Sequence, residues 1–267
     1  MLGYAMLGVL LALTTVVPLA WKWQLGVPRT TVAVATFGAF CTVPVALIAD
    51  SLNTAPYLAS LLVWLCTLAG AVAVLIYRFY RDPHRVSPDD EGAIVSPADG
   101  QVLYVRRSLG GRLPVATKLR RDYTIRELTN TPLRSDDAVV VGIAMNFLDV
   151  HVNRSPIAGT VTLRKHFAGR FGSLRRPEMA FENERATTVI EAGNVQVAVV
   201  QIASRLVRQI VSFVEEGQRV SVGQRIGAIR FGSQVDVILP LQGLLVVVQP
   251  GQHVVAGESV LAVHEPE

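Results

Sequence analysis

Cysteine, lysine and charge are all scarce in this sequence of 267 residues. Charged residues make up 17% of the chain, against about 25% in an average soluble domain. The two cysteines, Cys41 and Cys66, lie in apolar runs, where small hydrophobic residues are a better interpretation than a disulfide or metal ligands. The composition therefore excludes disordered, collagen-like and disulfide-rich classes, and we predict no metal site.

The shortage of charge is concentrated in the first 77 residues. Lys22, Arg29 and Asp50 are the only charged residues there, whereas the rest of the chain holds 23 basic and 20 acidic side chains. Three apolar stretches can be distinguished, at residues 2–21, 31–49 and 57–77. Each approaches or reaches the roughly 20 residues that a helix needs to cross a bilayer core. We predict a membrane anchor over residues 1–80 with two or three transmembrane helices, since Pro44 interrupts the second stretch.

Basic residues predict the orientation of this anchor. Lys22 and Arg29 lie between the first and second stretches, and Arg78, Arg81 and Arg85 follow the third. Because basic loops prefer the cytoplasmic side, we expect a cell-membrane protein whose soluble part is cytoplasmic. A cleaved signal peptide is disfavoured, because no basic residue precedes the first apolar run.

The sequence changes character from Arg81 onward. Short runs of β-branched residues alternate with glycine and proline, which is typical of strands joined by turns. Only the stretch Ser204–Glu216 has a helical pattern. The predicted fold class is N-terminal transmembrane helices followed by a mainly β (α+β) domain over residues 81–267, with mostly antiparallel strands.

An internal repeat lies near the C-terminus. Residues 214–226 match residues 248–260 at an offset of 34, with glycine and valine or isoleucine at corresponding positions. Paired hairpins of this kind resemble the barrel-sandwich hammerhead of biotin and lipoyl carrier domains. Such carriers attach their cofactor to a lysine, and no lysine lies in either copy. We therefore predict a hammerhead-like part without the carrier function.

Four short stretches contain residue types that support chemistry in other proteins. They are Ser96–Gly100, Asp149–Pro156, Glu182–Arg185 and Arg230–Gln234. Each also has a plain structural interpretation, respectively a turn, a structural histidine, a solvated charge run and a hairpin turn. Together they contain an Asp, a His and a Ser, enough for an orienting acid, a base and a nucleophile. The sequence contains no Gly-x-Ser-x-Gly, so a nucleophile elbow of the α/β-hydrolase type is not predicted.

Six motifs in a fixed order resemble the phosphatidylserine decarboxylases. They are Phe79-Tyr-Arg-Asp-Pro83, Ser96-Pro-Ala-Asp-Gly100, Val150-His-Val-Asn-Arg154, Asn183-Glu-Arg185, Gln201-Ile-Ala203 and Phe231-Gly-Ser233. The resemblance covers residues 79 to 267 and is strongest to the short bacterial and archaeal branch, whose archaeal members act on archaetidylserine. Several motifs in one order are more specific than any one of them.

The resemblance implies a proenzyme that cleaves itself between Gly232 and Ser233. Ser233 would attack the Gly232 carbonyl, and the rearrangement would leave a pyruvoyl cofactor derived from Ser233 at the new N-terminus. The small fragment, residues 233–267, would have 35 residues and stay associated with the large fragment. His151 matches the family's base, and Asp99 matches the carboxylate that orients the base.

The implied reaction is decarboxylation of phosphatidylserine to phosphatidylethanolamine, with archaetidylserine as the alternative substrate. The pyruvoyl carbonyl would accept the electrons left when carbon dioxide departs, and His151 would supply the proton that completes the product. Asn153, Arg154 and Arg185 are further candidates for substrate binding, since arginine matches phosphate and carboxylate groups. An oligomer is compatible with the sequence.

Basic residues beyond the anchor predict contact with an anionic membrane surface, each contributing on the order of 1 kcal/mol. They are Arg106, Arg107, Arg112, Lys118, Arg120 and Arg121. Nucleic-acid binding is disfavoured, because no nucleic-acid motif is present and aromatic residues do not alternate with the basic ones. Two rival functions stay open: a membrane serine hydrolase using Ser233, His151 and Asp99, and a non-enzymatic membrane adaptor.

Two details of the sequence bear on the cleavage site. Many relatives have Leu-Gly-Ser-Thr there, whereas this chain has Phe231-Gly-Ser-Gln234. A second Phe-Gly-Ser occurs at residues 171–173. It is followed by Leu-Arg-Arg instead of a strand, so we predict that cleavage takes place before Ser233 and not before Ser173.

Overall fold

A computed structural model describes residues 2–23, 25–90, 92–114, 123–204, 209–229 and 233–265, and for Ser233 it describes the backbone. The described helices are α1 (Leu2–Lys22), α2 (Val27–Ser51), α3 (Pro56–Tyr80), α4 (Ile125–Thr129) and α5 (Met179–Glu182). The described strands are β1 (Ile94–Val95), β2 (Gly100–Ser108), β3 (Arg112–Leu113), β4 (Tyr123–Thr124), β5 (Ala138–Met145), β6 (Val152–Arg154), β7 (Gly159–Phe167), β8 (Arg185–Ala192), β9 (Val195–Ala203), β10 (Ile210–Ser212), β11 (Arg219–Val220), β12 (Arg225–Ile229), β13 (Ser233–Pro240), β14 (Leu244–Val246), β15 (His253–Val254) and β16 (Val260–His264). The chain forms two compact units: Met1–Arg81 with Asn146–Leu148, and Asp82–Met145 with Asp149–Glu267.

The first unit contains three helices that are long and apolar enough to cross a membrane, α1, α2 and α3. They agree with the three apolar stretches predicted from sequence. Pro44 lies inside α2 without ending it, since neighbouring helices and local adjustments can compensate for the missing amide in an apolar bundle. Pro56 is the first residue of α3, where its absent N–H costs no hydrogen bond.

Small residues bring the three helices together. Gly8 on α1 lies so near α3 that a Cβ atom there would be 2.4 Å from the Ser60 carbonyl oxygen and 2.8 Å from the Val63 Cβ. Ala5 and Ala12 on the same helix are fully buried. Helix association inside lipid depends on close packing, because apolar side chains gain nothing by leaving lipid for protein. A larger residue at position 8 would therefore separate α1 from α3.

The second unit is built around an antiparallel sheet with strand order β11-β7-β8-β9-β13-β5-β2-β15. Three smaller sheets have the orders β1-β16-β14, β10-β12-β6 and β3-β4. The prediction of transmembrane-length helices followed by a mainly antiparallel β domain is confirmed. The predicted helix at Ser204–Glu216 is wrong where the structure describes it, because Ile210–Ser212 forms β10 and pairs with β12. Residues 205–208 of that stretch lie outside the described residues.

The two copies of the C-terminal repeat have the same backbone conformation. Gly217 and Gly251, which correspond at the offset of 34, have φ values of 84° and 94°. Gly223 and Gly257 correspond likewise, with φ values of 71° and 76°. These positive angles favour glycine, which has no Cβ to clash with the following carbonyl. The repeated glycines therefore mark two pairs of equivalent turns, the first pair before β11 and β15 and the second pair before β12 and β16.

The middle of the large sheet is β13, which pairs with β9 on one side and β5 on the other. Val235 and Val237 belong to the larger apolar cluster of the unit, and Ile238 belongs to the smaller cluster. Both faces of β13 are therefore covered, which is expected for a strand with a near-continuous run of apolar residues. The strand begins at Ser233, so the predicted cleavage position lies at the edge of a rigid, buried element.

Candidate active site

The first residue of β13 is held on both sides by neighbouring strands. The Ser233 backbone pairs with Met145 at the end of β5 and with Ala203 at the end of β9. Gly232, with Arg230 and Phe231, lies outside the described residues, as does the Ser233 side chain. Strand pairing thus fixes the Cα of Ser233 at a place where three strand ends meet.

His151 lies beside the segment that leads to Ser233. Its backbone carbonyl accepts a hydrogen bond of 3.1 Å from the amide of Ile229, the last residue of β12. The next two residues continue this pairing, since Val152 and Asn153 on β6 lie opposite Ala228 and Gly227. The chain passes from Ile229 to Ser233 in four residues, so the predicted base and the predicted cleavage position are joined by a short connection.

The tautomer and basicity of His151 follow from its surroundings. Its Nδ1 lies 2.8 Å from the Asp149 carbonyl oxygen, so Nδ1 carries the proton and Nε2 has the basic lone pair. The side chain is buried, and this burial lowers the pKa of His151 to about 4, against the opposing effects of the Asp149 carbonyl and carboxylate. At neutral pH His151 is therefore uncharged and able to accept a proton.

Asp99 lies in the turn between β1 and β2 and is almost fully buried. One carboxylate oxygen accepts a 2.8 Å hydrogen bond from the Ala256 amide, and the other accepts one of 2.8 Å from the Arg85 guanidinium. Burial raises the pKa of Asp99, while the Ala256 amide and the Arg85 charge act in the opposite direction. The described hydrogen bond of His151 Nδ1 is donated to the Asp149 backbone carbonyl and not to Asp99, so the assignment of Asp99 as the orienting carboxylate stays a prediction.

A second turn in the domain has the same structure as the turn that contains Asp99. The Ser96 hydroxyl donates to the Ala98 carbonyl at 2.7 Å, and the Ser155 hydroxyl donates to the Ile157 carbonyl at 2.6 Å. Both turns begin with Ser-Pro and end in a glycine, and they pack on the two copies of the C-terminal repeat. The residue that corresponds to Asp99 in the second turn is Ala158. The second turn therefore makes the same serine hydrogen bond without an acidic residue at the position of Asp99.

Buried amide side chains connect the strand ends around Ser233. Gln201 Nε2 donates to Asn153 Oδ1 at 2.8 Å, and Gln201 lies opposite Val235 on β13. Asn183 Nδ2 donates to the Ala203 carbonyl at 2.9 Å. These three amides are buried. Asn183 and Gln201 lie in the sequence motifs, but the sequence indicates no role for either. No local pattern predicts which carbonyl oxygen a buried amide will bind.

Arg154 and Arg185 are bound by other parts of the domain. Arg154 donates to Asp82 Oδ1 at 2.7 Å and to the Pro83 and Gly223 carbonyls. Arg185 donates to the carbonyls of Asn183, Glu127, Leu128 and Phe181. Arginine distributes five donors in a fixed plane, which suits the cross-linking of several carbonyls. Their described contacts are structural, and substrate binding by Arg154, Arg185 and Asn153 stays a prediction.

The basic residues predicted to face a membrane are only partly described. The Arg106 guanidinium lies 3.9 Å from the centroid of the Tyr104 ring. Arg107 and Arg112 are exposed. Lys118, Arg120 and Arg121 lie outside the described residues.

Comparison with known proteins identifies the family. The family profile described as phosphatidylserine decarboxylase matches residues 72–262. A phosphatidylserine decarboxylase proenzyme of Novosphingobium aromaticivorans is 41% identical over 210 residues, covering 76% of this chain and 79% of the relative. One of Azorhizobium caulinodans is 40% identical over 195 residues, covering 73% and 76%. A putative archaetidylserine decarboxylase proenzyme of Methanothermobacter thermautotrophicus is 37% identical over 199 residues, covering 74% and 85%.

The matched region contains every element of the site: the Asp99 turn, the His151 segment, the buried amides and the strand that begins at Ser233. The resemblance stated from six short motifs is confirmed over a continuous stretch of about 190 residues. The chain belongs to the phosphatidylserine decarboxylase family, a family of carboxy-lyases.

Proposed function

We propose that this protein is a membrane-bound phosphatidylserine decarboxylase that makes its own pyruvoyl group by cleavage between Gly232 and Ser233. The observation that carries the proposal is a buried, uncharged histidine, His151, hydrogen-bonded to the segment four residues before Ser233. A serine hydroxyl is a weak nucleophile on its own, and a neighbouring base is what activates it. Membership of the decarboxylase family disfavours the serine hydrolase and the adaptor.

The cleavage proceeds in three steps: ester formation, elimination and hydrolysis. Ser233 Oγ gives its proton to His151 and attacks the Gly232 carbonyl carbon, and the Gly232–Ser233 peptide becomes an ester as the proton passes to the freed amine. Removal of the Cα proton of residue 233 then expels the Gly232 carboxylate and leaves dehydroalanine. Its enamine tautomerises, and water replaces the nitrogen, which departs as ammonia. The 35-residue fragment 233–267 then begins with a pyruvoyl group.

The strands around residue 233 suit a pyruvoyl group at the N-terminus of the small fragment. Both neighbouring strands pair with the backbone of β13 from its first residue, so the small fragment is expected to stay bound to the large fragment after the covalent link is lost. When formed, the pyruvoyl group supplies the electron sink for decarboxylation. His151 would hold the proton that is returned to the substrate carbon, and Asp99 would stabilise the charged imidazole during the transfer.

The substrate and the cellular location follow from the family and from the anchor. The two bacterial relatives are called phosphatidylserine decarboxylase proenzymes, and the archaeal relative is called a putative archaetidylserine decarboxylase proenzyme. These lipids share the serine headgroup, which contains the reacting amine and carboxylate. The apolar helices α1 to α3 support a location in the cell membrane, and the basic residues after α1 and α3 favour a cytoplasmic catalytic domain.

The proposal predicts carbon dioxide release from phosphatidylserine by the full chain reconstituted in vesicles. We expect release to stop after treatment with hydroxylamine, because this reagent consumes a ketone carbonyl and leaves ordinary serine side chains intact. Vesicles of phosphatidylglycerol, which has no amine or carboxylate in its headgroup, provide the control. Hydrolysis of lipid esters without carbon dioxide release, or full activity after hydroxylamine, would contradict the proposal.

A further inference from the structure

A polar cluster lies immediately after Ser233 on β13. Gln234 Nε2 donates to Tyr104 Oη at 2.8 Å and to Asp236 Oδ1 at 2.7 Å. Tyr104 Oη lies 3.0 and 2.9 Å from the two carboxylate oxygens of Asp236. Asp236 is completely buried, and Gln234 is 4% exposed. Tyr104, Gln234 and Asp236 are called the Gln234 anchor below.

Strand register explains how Tyr104 reaches the other two residues. Tyr104 on β2 lies opposite Gly142 on β5, and Gly142 lies opposite Asp236 on β13. A Cβ atom at Gly142 would be 2.4 Å from Tyr104 Cζ, so the tyrosine ring crosses β5 over a position that has no side chain. The three residues thus form a row across β2, β5 and β13.

Burying the Gln234 anchor costs free energy of folding, because its carboxylate is removed from water. Asp236 lies on the same face of β13 as Ile238, which belongs to the smaller apolar cluster, and burial raises the pKa of Asp236 to about 6. The charges of Arg106 and Arg185 and the hydrogen bonds of Gln234 and Tyr104 act in the opposite direction. Replacing buried ionic groups by apolar ones often leaves stability unchanged or raises it. Stability alone therefore gives little reason for this group to follow the cleavage position.

We propose that the Gln234 anchor positions residue 233 for the reaction, an inference that rests on the proposed function. Cleavage turns residue 233 from an internal residue into the first residue of a strand, and strand ends open locally more easily than strand centres. The side chain of the very next residue is fixed by Tyr104 and Asp236, so the reactive group is kept at the ends of β5 and β9. Gln234 and Tyr104 are thus positioning residues, and their loss should change kcat for the catalysed step more than KM for the lipid.

The experiment compares Tyr104→Phe and Gln234→Leu with the wild-type chain. Tyr104→Phe removes one hydroxyl and keeps the ring over Gly142, and Gln234→Leu keeps a side chain of similar size. Tyr123→Phe is the control, because it removes a tyrosine hydroxyl outside the anchor: Tyr123 is buried, lies on β4 and stacks on Phe181. The measurements are the rate at which the 35-residue fragment appears, and kcat and KM for phosphatidylserine per processed molecule. The thermal midpoint is recorded for each variant.

We expect both variants to lose about tenfold or more in kcat per processed molecule, with KM within about twofold, since a misplacement of 1 Å costs on the order of 100-fold. Tyr123→Phe should retain the wild-type kcat. A fall in the thermal midpoint with unchanged cleavage and unchanged kcat would overturn the inference and make the anchor a stability element. An uncleaved wild-type chain would instead overturn the proposed function, so the two failures are distinguishable.

Discussion

Replacing His151 by alanine is expected to slow the appearance of the 35-residue fragment by a factor of about 10² to 10⁴, the range supplied by a positioned general base. Nε2 of His151 is the basic nitrogen, because Nδ1 is bonded to the Asp149 carbonyl. The measurement is the fraction of cleaved chain against time after synthesis, followed by mass. His264→Ala is the matched control, since His264 is exposed at the end of β16. If the His151→Ala variant cleaves at the wild-type rate, His151 is not the base that activates Ser233.

The pH dependence of cleavage tests the same base in the unmodified chain. Burial lowers the pKa of His151 to about 4, so the neutral, proton-accepting form predominates at all pH values above about 5. We expect a rate that is level between pH 5 and pH 8 and falls about tenfold per unit below pH 4. A midpoint near the ordinary histidine pKa of about 6.5 would contradict the lowered pKa of His151.

Arg185→Met is expected to destabilise the domain by about 3–5 kcal/mol, because each buried carbonyl left without a donor costs about 1–3 kcal/mol. Arg185 is 5% exposed and donates to four backbone carbonyls, all of which would lose a donor in the variant. For a domain of this size the thermal midpoint should fall by roughly 10 °C. The sequence-based alternative, in which Arg185 binds the lipid phosphate or carboxylate, predicts a higher KM instead.

Arg134→Met provides the control for this measurement. Arg134 is half exposed and pairs with Glu191 at the surface, where an ion pair contributes about 1 kcal/mol or less. Its loss should leave the thermal midpoint within a few degrees of the wild-type value. An Arg185 variant with the wild-type midpoint and a raised KM for phosphatidylserine would restore Arg185 to the substrate-binding site.

Local patterns were sufficient for the three membrane-length helices, the β class and the family. Runs of about 20 apolar residues define membrane helices almost by themselves, and helix formation over Pro44 shows that one proline does not divide such a run. The pattern failed at Ile210–Ser212, where pairing with the distant strand β12 determines the structure. Short runs rich in valine and isoleucine fit a helix or a strand, and tertiary contacts decide between them.

The individual site residues differ in how far the sequence could reveal them. Asp99, His151 and Ser233 lie in recognisable motifs, and their roles still depend on the family. The Asp99 turn and its counterpart at Ser155 both read Ser-Pro with a glycine four residues after the serine, but their equivalence becomes visible only from their hydrogen bonds. The contact between Tyr104 and Asp236 joins residues 132 positions apart, and no local signal predicts it, because it depends on the register of three strands over Gly142.

The most direct test of the central claim is the intact mass of the purified full chain beside the Ser233→Ala variant. Self-cleavage before Ser233 predicts two wild-type components, one being the 35-residue fragment 233–267 with a pyruvoyl group in place of its N-terminal serine. The alanine variant has no hydroxyl to attack the Gly232 carbonyl and should remain whole. A folded wild-type chain that also stays whole would contradict the account, and a cut before Ser173 would move the cleavage site to the second Phe-Gly-Ser motif.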